Sequence, residues 1–149
     1  MKIALCPINP VVGDITGNAA MIASRARASN ADFVVFPELA LCGYPPRDLL
    51  LYPAFIDRCA HACDELAREL AGGPAVLIGT PLPGQTASHL PTNSLVLLDG
   101  GAVSFRYDKR LLPNYEVFDE VRYFAPGDRP GIIEFRGLRL ALAICEDLW

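Results

Sequence analysis

The chain has 149 residues, 52% apolar and 20% charged, with a net charge of -4. That is the size of one domain with a real core, and the composition excludes a disordered chain. Neither nucleic acid nor an anionic membrane is expected as a partner, and no apolar run is long enough to span a bilayer.

The opening MKIALCPINPVVGD predicts a first strand over 2–8, because Pro, Asn and Asp cut short an apolar stretch too brief for a signal peptide. A helix is predicted over 16–29 with Thr16 as its N-cap, then a strand over 32–37 (DFVVFP). A second helix fits 53–71, with Pro53 in its first turn and Gly72-Gly73 just past its end. The stripe Phe55, Cys59, Cys63, Leu66, Leu70 makes it amphipathic. Cys59 and Cys63 sit at i, i+4 and suit a metal in principle; core packing is the preferred reading, with His61 pointing away.

A strand over 75–79 (AVLIG) completes an alternation that predicts parallel strands joined by crossover helices. The later part changes character. Strands over 93–98 and 102–107 are joined by Asp99-Gly100-Gly101, and strands over 131–135 and 138–145 by Arg136-Gly137, as hairpins. The expectation is a mixed sheet with helices on one face and a further cover on the other. The last strand, LRLALAIC, reads as buried on both faces. A domain that stops four residues beyond such a strand is expected to be the N-terminal part of a larger protein.

Three strand ends carry polar groups. In FVVFPEL, Pro37 ends the ladder and Glu38 stands among apolar residues, where a carboxylate is expensive unless paired or protonated. It reads equally as a general base or as a cap on nearby backbone N–H groups. Lys109 follows the strand ending near Tyr107 and alone reads as a solvated lysine. Cys145, alone, reads as a buried structural cysteine, and Glu146 and Asp147 beside it should discourage a thiolate. Together the three are complementary: an ammonium favours the thiolate and can bind an oxyanion, while a carboxylate moves the proton.

The segments FPEL, YDKRLLPNY and AICEDLW, in that order, resemble the nitrilase, or carbon–nitrogen hydrolase, superfamily over the whole of residues 1–149. The resemblance implies an α/β fold, the αββα sandwich of that superfamily, here only its N-terminal part, and a Glu38–Lys109–Cys145 triad. LCGYPPRDLLL (41–51) and LLPNYEVFDEVRYFAPG (111–127) look like the glutamine-hydrolysing domain of glutamine-dependent NAD synthetases. That likeness implies Tyr44, Tyr115 and Phe118 lining a glutamine pocket, with packing as the alternative for each. It also implies Glu120 as a supporting carboxylate beside Lys109, preferred to Glu116 on motif position.

The implied chemistry is attack of Cys145 on the glutamine side-chain amide. Lys109 and the backbone N–H of Glu146 would hold the oxyanion, the Glu146 carboxylate turned away and Lys109 dominating the field at the thiol. No cofactor or metal is implied for this domain; ATP and magnesium would belong to a C-terminal synthetase domain receiving the ammonia. Five cysteines without framework spacing imply a reducing cytoplasm, and the family implies a homo-oligomer. A stand-alone amidase, nitrilase or carbamoyl-amide hydrolase is the alternative enzyme, and an inactive fragment acting as an interaction surface the non-enzymatic one.

Overall fold

In the computed structural model, which describes residues 1–85 and 89–149, five strands form one mixed sheet. They are β1 (Ile3–Leu5), β2 (Phe33–Val35), β3 (Ala75–Leu82), β4 (Thr92–Asp99) and β5 (Ala102–Asp108), in that spatial order. β1, β2 and β3 run parallel, connected by helices α1 (Ile15–Ala28) and α2 (Pro53–Glu69), and β3–β4–β5 is an antiparallel meander. The predicted order of crossovers and hairpins is the observed one.

Alternation of side chains along each strand builds two cores. Val34, Val76, Ile78, Val96 and Leu98 face the helices, where Ile22, Ala26, Cys59, Cys63 and Leu66 cover them. Phe33, Ala75, Leu77, Leu95, Leu97 and Tyr107 face the other way, onto Ile133, Phe135 and Ile144. The predicted stripe on α2 is therefore core, with Cys59 and Cys63 buried, while His61 lies outside beside Glu65. Burial pushes the Cys63 thiol up to about 12, so it is an inert packing group.

Three local expectations are corrected. α1 is capped by Asp14, whose carboxylate accepts from Gly17 N at 2.9 Å, not by Thr16, which lies inside the helix. The last hairpin, β6 (Gly131–Phe135) with β7 (Leu138–Leu142), forms its own two-stranded sheet on the second face of the five-stranded one. β7 is not buried on both faces: Leu140 and Leu142 pack inward, whereas Arg139 and Ala141 face outward and are exposed. Its regular pairing ends at Leu142, three residues before Cys145. The layers are helices, sheet, and a partial second sheet, as in nitrilase-like folds.

Candidate active site

β2 delivers Glu38 through a tight turn. Phe36 N still bonds to Leu77 O at 2.9 Å; then Leu39 adopts φ +49° and the chain folds back, with Leu41 N on Gly79 O at 3.1 Å. Gly79 has no side chain for a steric reason: a Cβ there would collide with Leu39 N and Pro37 O. The Glu38 side chain is left 21% exposed. Among the described residues it caps no backbone group; its Oε1 accepts from Lys109 Nζ at 2.8 Å and from Asn93 Nδ2 at 2.6 Å.

Lys109 follows β5 directly and is held by its backbone, N to Asn93 O and O from Gly127 N, both at 2.8 Å. The solvated reading is wrong: its side chain is completely buried. Nζ donates to Glu38 and to both oxygens of Glu120, at 3.1 and 2.9 Å. Glu120, at the start of the short helix α3 (Glu120–Tyr123), is itself 5% exposed. Burial pulls the Lys109 pKa down, but the hydrogen bonds and charges of Glu38 and Glu120 outweigh it, so the ammonium is held above its ordinary range. Burial pushes Glu120 up, against the opposing pull of Lys109. The structure thus brings Glu120 to the lysine, while Glu116 is exposed.

Cys145 opens a 3₁₀ turn, Cys145–Leu148, with φ +45°, a conformation uncommon for a side-chain-bearing residue. The thiol is exposed rather than buried, because the chain leaves β7 before reaching it. Glu38 and Cys145 line one cavity of about 380 Å³, walled by Phe36, Leu95, Leu142 and Ile144. Partial burial, then the negative charge of Glu38, push the thiol above its ordinary pKa, and Lys109 only partly opposes them. The expectation that Lys109 dominates this field is therefore corrected: with two carboxylates against one ammonium, the resting sulfur is a thiol.

The acids after the cysteine are turned aside. The Glu146 carboxylate accepts from Tyr115 OH at 2.8 Å, while its N–H lies against the Cys145 sulfur and favours the thiolate. Asp147 collects four donors: Arg110 N and Leu111 N on Oδ1 at 3.0 and 2.9 Å, Tyr107 OH and Ile144 N on Oδ2 at 2.7 and 3.0 Å. Burial raises its pKa, but these bonds lower it further, so the net shift is down.

The aromatic candidates divide. Tyr44 OH donates to Glu120 Oε1 at 3.2 Å and so braces the lysine cluster. Tyr115 packs edge-on against Phe118, ring centres 5.6 Å apart. Tyr115 and Glu146 line a second, larger groove of about 800 Å³ with Leu111, Leu112 and Phe124. Sequence reasoning missed Asn93 and Asp147. The signal for Asn93 was its position as the polar residue opening an apolar strand, NSLVLL; Asp147 offered none beyond proximity to the cysteine. Among the described residues, no group of three His, Cys, Asp or Glu is gathered to hold a metal, and no helix is long and apolar enough to cross a membrane.

A carboxylate, an amine and a thiol carried on the strand ends of an α/β sandwich are the outline of a carbon–nitrogen hydrolase. The family model for carbon–nitrogen hydrolases matches residues 2–149, and the chain belongs to that family. It is 41% identical to the glutamine-dependent NAD(+) synthetase of Synechocystis, over 99% of this chain and 28% of that protein. The structure of the glutamine-dependent NAD+ synthetase of Acinetobacter baumannii with ADP superimposes with a TM-score of 0.88 at 36% identity, covering 99% of this chain and 28% of that one. An amidase from Nesterenkonia, solved with acrylamide added to its active-site cysteine, matches with a TM-score of 0.80 at 25% identity, over 99% of this chain and 58% of that one. This chain thus spans a little over a quarter of the synthetases it resembles.

Proposed function

We propose that this chain is the glutamine-hydrolysing part of a glutamine-dependent NAD synthetase. One observation carries the reading: a fully buried ammonium, held between Glu38 and Glu120, shares its electrostatic field with a thiol on a strained turn. The identity to synthetases over the whole chain supports glutamine as the amide.

In this mechanism Glu38 takes the thiol proton as Cys145 sulfur bonds to the amide carbon of glutamine. Lys109 Nζ and the N–H of Glu146 receive the oxyanion. The C–N bond then breaks, Glu38 returns the proton to the departing ammonia, and a thioester remains. Glu38 next draws a proton from water, which cleaves the thioester to glutamate and the free thiol. Glu120 and Tyr44 keep the ammonium charged and aimed. Tyr115 and Phe118 would line the glutamine pocket. No cofactor enters these steps; ATP and magnesium would serve a C-terminal synthetase module that consumes the ammonia. A cytoplasmic homo-oligomer completes the proposal, in keeping with five unpaired thiols.

The test is ammonia release from glutamine by the full polypeptide that carries this chain, beside Cys145→Ala. The variant is expected to lose glutamine-driven NAD synthesis and to keep synthesis from free ammonia. Undiminished glutamine turnover would remove Cys145 as the nucleophile. The stand-alone amidase reading draws on the likeness to the Nesterenkonia enzyme. It predicts hydrolysis of a simple amide such as propionamide in preference to glutamine.

A further inference from the structure

Asn93 sits where the two halves of the charged cluster meet. It lies on β4, paired with Pro81 of β3, and is completely buried. Its backbone carbonyl accepts the N–H of Lys109 at 2.8 Å, and its side-chain Nδ2 donates to Glu38 Oε1 at 2.6 Å. One residue therefore fixes both the lysine backbone and the glutamate head. On either side, Thr92 and Ser94 donate to Asp108 Oδ1, at 3.1 and 2.6 Å, and so pin the residue that precedes Lys109.

Two details separate this from ordinary packing. The Lys109 and Asn93 donors converge on the same oxygen, Oε1, and no donor engages Oε2 among the described residues. The single side-chain oxygen of Asn93, Oδ1, is buried without a hydrogen-bond partner among the described residues. A buried carbonyl with no partner is unfavourable, and a residue chosen for stability alone would not carry one. The donor end of this amide is what the fold retains.

We propose that Asn93 is a positioning residue for amide hydrolysis: by holding Oε1 of Glu38 it turns Oε2 toward the Cys145 thiol and makes that oxygen the one that carries the proton. The role rests on Glu38 acting as the base. The charged and titratable groups facing Glu38 are Lys109, Glu120, Tyr44 and Cys145, from the segment just after β5, α3, the 36–46 loop and the nucleophile turn.

The experiment compares Asn93→Ala and the isosteric Asn93→Asp with the parent in the full polypeptide. Steady-state ammonia release from glutamine is read from pH 5 to 10 (on the order of the range where such groups titrate). Rates are expressed per mole of folded protein, taken from the native fraction in a thermal unfolding curve of each variant, so that unfolded protein does not count. Without a donor, Glu38 swings about Lys109, and Asn93→Ala should lose about 10- to 100-fold in kcat with little change in KM. Because a donor favours the charged carboxylate, its acid limb should also move to higher pH. Asn93→Asp supplies a donor only while protonated, so its optimum should move to lower pH than the parent's. A purely structural role would lower the melting temperature and leave kcat per folded molecule and both limbs unchanged, and that result overturns the proposal. A parent that releases ammonia while either folded variant keeps its kcat and pH profile overturns the role of Asn93 alone. A parent that hydrolyses neither glutamine nor propionamide overturns the hydrolase reading, and the role of Asn93 with it.

Discussion

Burying Lys109 outright strips its ammonium of water, and two carboxylates replace that hydration with unequal grips. Glu120, almost as buried, engages with both oxygens; Glu38, partly open, gives up one and keeps the other free. The cluster therefore carries one more negative than positive charge, which is why the nearby thiol is harder to ionise than an ordinary cysteine. A thiol raised by a carboxylate in its own cavity rests protonated, not as a preformed thiolate. Glu38→Gln separates the two roles of that charge. It is expected to abolish hydrolysis by removing the proton carrier, yet to make Cys145 more reactive toward iodoacetamide near neutral pH. The measurement is the pH dependence of alkylation at Cys145, read by peptide mass spectrometry to exclude Cys6. In the parent the midpoint should lie above the ordinary thiol value of 9.0, and in the variant below the parent's. Equal or slower alkylation in the variant would mean that Glu38 does not govern the sulfur.

Each of these groups is held by an element end rather than by an element, and the ends are stitched to one another. Asp147 does this for Cys145: it binds the turn through Ile144 N, β5 through Tyr107 OH, and the segment after Lys109 through two backbone N–H groups. Asp147→Asn replaces one acceptor oxygen by a donor among four donors. Whichever way the amide turns, at least one backbone N–H is stranded, so a loss of about 1–3 kcal/mol is expected. Since the Asp147 pKa is lowered in the fold, its stabilisation is fully present above the ordinary carboxylate value of 3.8 and fades as pH falls through the lower folded value. The gap in melting temperature between parent and variant should stay constant from neutral pH down to that range and narrow only below it. A gap that closes already between pH 7 and 5 (about one to three units above the ordinary carboxylate range) would argue against the clasp. This stitching is what the sequence left illegible. The apolar runs of β2 to β5 and the glycines of the hairpin turns announced themselves through periodicity and turn chemistry. Glu38, Lys109 and Cys145 were legible only because three short segments stood together in order, and Glu120 only through the further likeness of residues 111–127. Their physical company was not: the path of the chain into Lys109 depends on Gly127 admitting the backbone of Asp108, and the Glu38 turn on Gly79 having no Cβ. A contact between residues 93 and 38, or 147 and 107, leaves no trace in local spacing.

Across the whole molecule the five-stranded sheet is covered unequally. The helical face is closed over β1 by Ala4 and its neighbours, whereas on the opposite face Ile3 and Leu5 are 46% and 78% exposed. They lie on the edge strand, where the β6–β7 hairpin leaves the apolar groove of Phe33, Val35, Leu77, Leu140 and Leu142 partly open beside Cys145. An exposed apolar edge strand next to an apolar groove is a surface that other apolar groups or strands will seek. The 149-residue chain by itself is therefore expected to bind the dye ANS and to elute above its monomer size. Leu5→Lys should weaken both effects, because a lysine at that position extends into water without touching the helical core. Val11→Lys, on an exposed loop residue away from the groove, serves as the control for added charge, and should leave dye binding near the parent level. If both lysines reduce binding equally, net charge and not the open groove is responsible. If only Leu5→Lys does so, the uncovered side of β1 is the adhesive surface, and it borders the cavity that Glu38 and Cys145 line.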